Sequence, residues 1–98
     1  MHENGNATLV VKRGNSRRHP EHFNRTKLHK SIVAACLSVG APTGHAESIA
    51  RKVTDGVVAW LEARPEVTSS DIRRVAAQHL HTYHPDAGYL YEHHRSTL

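Results

Sequence analysis

The chain has 98 residues, 38% of them hydrophobic, and its 13 Lys and Arg outnumber nine Asp and Glu for a formal charge of +4, to which ten histidines add in mild acid. A chain this short buries about two thirds of its unfolded surface, enough for one core, one domain and one shallow site. Its charge favours anionic partners such as nucleotide phosphates, nucleic acid or an acidic protein face, and does not choose among them.

A single cysteine, Cys36, excludes an internal disulfide and a cysteine-built zinc ribbon. No apolar run approaches the ~20 residues that cross a bilayer, and the polar start MHENGN carries no hydrophobic signal core. The expectation is a cytoplasmic chain, with flexible ends at 1–7 and 96–98 around a domain at 8–95.

In chain order, Leu9, Val10 and Val11 stop at the basic pair Lys12 and Arg13 and the turn formers Gly14, Asn15 and Ser16, the pattern of a strand entering a hairpin. The return strand falls within Arg17 to Phe23 and is short or an edge, because Pro20 cannot donate to a ladder. Asn24 caps a first helix with Leu28, Ile32, Ala35, Cys36 and Val39 on one stripe, ended by Gly40 and Pro42.

Thr43 then caps a second helix whose Ala46, Ile49, Ala50, Val53, Val57, Trp60 and Leu61 share a face as far as the break around Pro65, with Gly56 marking a close contact or a bend. In VTSSDI the hydroxyl of Thr68 precedes Asp71 by three residues, the spacing of a capping box. Ile72, Val75, Ala76, His79, Leu80 and Tyr83 continue as a third apolar stripe until Pro85, and a fourth helix from about Asp86 groups Ala87, Leu90, Tyr91 and His94. The expected fold is α+β, a short N-terminal β-hairpin packed as a lid on four α-helices. A hairpin is marginal alone and must lie on the helices, which brings Lys12, Arg13 and Lys27 toward one mouth beside the N–H groups that open the first helix.

The segments VVKRG, FNRTKL, VTSSDI and AGYLYEHHR, in this order from Thr8 to Arg95, resemble the ATP-cone, the regulatory nucleotide-binding module of many ribonucleotide reductases and of the bacterial repressor of reductase genes. The resemblance implies ATP or dATP, with magnesium, held between lid and bundle, and a signal passed on through oligomeric state. By position it implies nucleotide contacts from Val11, Lys12, Arg13, Glu21, Asn24, Lys27, Thr68 and Arg73. The sequence shows neither a reductase body nor a DNA-reading ribbon beside the module, so the expectation is a homo-oligomer, a reductase or regulator chain acting in trans, or a degenerate or excised module. The hairpin is longer than the common form and carries Pro20.

Other chemistry has less support in the residues. No glycine-rich phosphate loop, paired nucleophile and base, or acidic magnesium pair is present, so catalysis is not expected. His19 with His22, His81 with His84, and His93 with His94 offer pairs of imidazoles without a finger spacing, so no metal site is expected. Trp60, Tyr83 and Tyr91 read as packing residues and Cys36 as a buried, inert thiol. A small basic nucleic-acid-binding protein or transcriptional regulator is the alternative function, although no helix rich in base-reading side chains supports it.

Overall fold

The computed structural model describes residues 8–11 and 21–93. The predicted turn at Gly14 to Ser16, Pro20, most of the return strand, the chain ends and His94 lie outside the described residues.

Strand β1 (Leu9–Val11) is followed by β2 (Glu21–His22), α1 (Arg25–Ser38), α2 (Thr43–Leu61), β3 (Glu66–Thr68), α3 (Ser69–Tyr83) and α4 (Pro85–His93). The fold is α+β, four helices with a small sheet at one end. The helices form a closed ring in which α1 packs on α2, α2 on α3, α3 on α4 and α4 back on α1. Their shared core holds Leu28, Ile32 and Cys36 from α1, Ile49, Val53, Val57 and Leu61 from α2, Ile72, Val75 and Leu80 from α3, and Ala87 and Tyr91 from α4. All twelve stand at helical spacing, so one stripe of each helix leaves water together.

The sheet differs from the expected hairpin by one strand. Its order is β2-β1-β3, with β1 antiparallel to β2 and parallel to β3. Residues Glu66 to Thr68, read above only as a helix entry, pair with Leu9 to Val11 one for one. Thr8 anchors the strand beneath them. Its buried hydroxyl reaches the carbonyls of Leu61 at 3.3 Å and Arg64 at 2.9 Å, in the turn that follows α2, where the Leu61 carbonyl also accepts the Arg64 N–H at 2.9 Å.

Two helix boundaries and one core assignment depart from expectation. Pro42, not Thr43, occupies the N-cap of α2 and contributes no side-chain bond; Thr43 is already helical because proline's fixed φ suits a helix entry. Helix α4 begins at Pro85 itself, since the first helical N–H has no partner and its loss to proline costs nothing. His84 supplies the cap, its Nδ1 accepting the Ala87 N–H at 3.3 Å. Tyr83 lies at the end of α3 with 44% exposure instead of joining the core, and its ring sits 5.5 Å from the Lys52 ammonium.

Gly56 does mark a close contact, with α3: a Cβ there would stand 2.9 Å from the His79 ring. Within α2 the hydroxyl of Thr54 is fully buried and has no hydrogen-bond partner among the described residues. An unpaired buried hydroxyl costs about 1–3 kcal/mol. Thr54→Val keeps the shape and removes that penalty, so it is expected to raise unfolding stability by about 1 kcal/mol, measured as a higher urea midpoint at unchanged slope. A lower midpoint would mean that the hydroxyl is satisfied in solution.

Candidate functional site

The sheet brings three of the four quoted segments together. VVKRG supplies Val10 and Val11 of β1, FNRTKL follows β2 directly, and VTSSDI supplies Val67 and Thr68 of β3 and opens α3. Val11 stands opposite Thr68 in the parallel ladder, and Val10 stands opposite Glu21 in the antiparallel one. Because β2 runs against β1 and β3 runs with it, the two helices that leave the sheet start from opposite ends of β1. Helix α3 begins beside Val11; α1 begins below Leu9, where the Phe23 N–H donates to the Thr8 carbonyl at 2.9 Å. At about 3.3 Å per residue the ends of this strand, Leu9 and Val11, are ~7 Å apart. Helix openings with free N–H groups, which attract anions, thus flank the strand at both ends.

At the α1 opening, Asn24 is the N-cap, its side-chain oxygen accepting the Lys27 N–H at 3.0 Å. The first turn that follows carries Arg25 and Lys27 and no acid. Cations at the positive end of a helix are unfavourable by about 0.3–1 kcal/mol each unless an anion compensates. Arg25 is compensated by its ion pair with Asp55 of α2. Lys27 is exposed, and no ion-pair partner for it is found among the described residues.

At the α3 opening the predicted capping box is present. The Thr68 hydroxyl accepts the Asp71 N–H at 3.0 Å, and the Asp71 carboxylate accepts the Thr68 N–H at 3.2 Å. Hydrogen bonds to the carboxyl from Thr68, chiefly from its backbone N–H and then from its side chain, hold Asp71 below its ordinary range, with a smaller contribution from Arg74. The stability this carboxylate contributes is present above the unfolded Asp value of about 3.9 and is lost as pH falls through the lower folded value. Asp71→Asn, which keeps a capping oxygen without the charge, is expected to flatten the fall in urea midpoint between about pH 4 and pH 2 relative to wild type. Parallel pH profiles for the two proteins would remove the capping box as the cause.

Arg73 is placed differently from the other predicted site residues. Its guanidinium lies 5.0 Å from the centre of the Tyr91 ring and donates to the Tyr91 carbonyl at 3.0 Å, so it ties α3 to α4. The Tyr91 hydroxyl lies 2.9 Å from the Ser31 hydroxyl, which itself donates to the Leu28 carbonyl at 2.7 Å. With the serine hydrogen already committed, Tyr91 is the donor to Ser31. Burial pushes the Tyr91 phenol up, against the Ser31 bond and the Arg73 charge. Tyr91 therefore joins α1, α3 and α4, a role that its place on an apolar stripe announced only as packing.

Lys12 and Arg13 lie outside the described residues, as does any contact of theirs with the sheet. Cys36 is fully buried and its thiol is pushed up by desolvation, which leaves little thiolate to react. Among the described residues no group of three or more His, Cys, Asp or Glu side chains gathers closely enough to hold a metal ion, and no helix is long and apolar enough to cross a membrane. No protein-family model, curated protein or solved structure matches the chain.

Proposed function

We propose that this chain is a regulatory nucleotide-binding domain of the ATP-cone kind, which takes ATP or dATP with magnesium at the sheet and acts on a partner chain or through self-association, without catalysis of its own. The observation that carries the reading is the pairing of VVKRG with VTSSDI in one three-stranded sheet, 57 positions apart in sequence, with FNRTKL following β2 directly. The Lys27 ammonium supports it further, because a cation at the positive end of α1 is unfavourable until a phosphate arrives.

In this reading Val11, Thr68 and Glu21 border the site at the sheet, and Asn24 and Lys27 meet the phosphates at the α1 opening; Lys12 and Arg13, which the resemblance also assigns to the nucleotide, lie outside the described residues. Magnesium is held by the phosphates, since the described residues supply no acidic cluster for it. Arg73 acts indirectly, through its hold on Tyr91. The setting is cytoplasmic, and the partner is a second copy or a reductase or regulator chain.

Calorimetric titration with ATP and with dATP in magnesium buffer near 0.15 M salt, where exposed charges more than about 8 Å apart are largely screened, tests the reading. Saturable one-site binding of either nucleotide is expected. Heats absent for both, together with DNA binding whose affinity falls steeply with salt, would replace it with the nucleic-acid reading.

A further inference from the structure

Between α3 and α4 lies a groove of about 410 Å³ that starts just past β3 at Ser70 and runs along α3 to His81. Ser70, Arg74, Ala77 and His81 line it along α3 at spacings of three or four residues, and Glu92 of α4 closes its far end. Ala77 is itself buried, and its methyl leaves the space between the longer side chains. The walls differ in charge along their length.

At the near end, Arg73 is held on Tyr91, while Arg74 is half-exposed and reaches Asp71 at only 3.3 Å. A guanidinium has five donors, so Arg74 keeps several for another carboxylate. At the far end, Glu92 lies 3.3 Å from His81 and its side chain is 54% exposed. Seven residues separate Arg74 from His81, a rise of about 10 Å along the helix. One phosphate cannot meet both ends, and Glu92 would repel the second phosphate of a nucleic-acid backbone.

We propose that this groove docks an extended peptide segment of a partner protein, with a carboxylate side chain on Arg74 and an ammonium side chain on Glu92. Residues four apart in an extended chain face the same side and span about 13 Å, comparable with the ~10 Å rise along α3 from Arg74 to His81, beside which Glu92 lies. The proposal does not rest on nucleotide binding.

The test is an amide NMR titration of the full chain with a capped pentapeptide that has glutamate first and lysine last. Shifts are expected at Ser70, Ala77 and His81, weakening with salt. Arg74→Glu, at an exposed position and checked for folding by circular dichroism, is expected to reduce affinity about tenfold or more, equivalent to 1.4 kcal/mol. Glu92→Gln is expected to reduce it less, because Lys is the more strongly hydrated ion. Equal binding by a peptide with glutamine and norleucine in place of the charged residues would overturn the proposal. So would the same shifts with inorganic phosphate, or peptide shifts confined to the sheet. ATP in the same spectra reports separately on the sheet, so either reading fails without the other.

Discussion

Lys27→Glu is expected to stabilise the free protein by about 0.5–1 kcal/mol while removing most of its affinity for ATP. The two effects have opposite signs because Lys27 occupies the third position of α1, after an Asn24 cap that already accepts its N–H. Glutamate there completes a capping box and suits the positive end of the helix. It also sets a negative charge where the proposed site receives phosphate. If Lys12 and Lys27 meet the nucleotide phosphates as proposed, Lys12→Ala with Lys27→Ala removes two charge-assisted contacts worth about 1.5–3 kcal/mol each, so affinity is expected to fall about a hundredfold or more. Thermal unfolding and calorimetry on the same samples separate stability from binding. Wild-type affinity in the double variant, with an unchanged circular dichroism spectrum, would remove the phosphate site from these residues.

Gly88→Ala is expected to destabilise the fold by about 2 kcal/mol, close to a 10 °C fall in midpoint for a domain this size. A Cβ at Gly88 would stand 2.8 Å from the His81 backbone nitrogen and 2.9 Å from its Cα, so α4 would have to move off α3. That separation would also loosen the hold of Arg73 on Tyr91. Gly56→Ala provides the comparison. Its nearest neighbours, at 2.9–3.1 Å, are atoms of the His79 ring, which can turn aside, and alanine gains about 1 kcal/mol of helix propensity over glycine. The expected change there is within about 1 kcal/mol of zero. Equal losses at the two sites in urea unfolding would show that backbone contact is not what distinguishes them.

The two glycines also show where sequence reading succeeds and where it stops. Gly56 interrupts a long apolar stripe, and such an interruption has to have a reason. Gly88 stands near the start of a short helix where nothing marks it, and its neighbour His81 belongs to another helix. Arg73 is a similar case. Read along α3 it is a residue of the polar side, and only the packing of α4 brings Tyr91 beneath it.

Local chemistry determined the helices: stripes at 3.6-residue spacing, the Asn24 cap and the Thr68–Asp71 box follow from neighbours within four residues, which interact whatever the rest of the chain does. Strand β3 had no such signal. Glu66 to Thr68 is three residues with one buried side chain, and it is a strand because β1, 57 positions earlier, offers its second edge there. The same long-range pairing decided which segments meet at the sheet and set the openings of α1 and α3 at opposite ends of β1. Backbone hydrogen bonds between strands carry no residue code, so their partners are chosen by the packing of the whole chain.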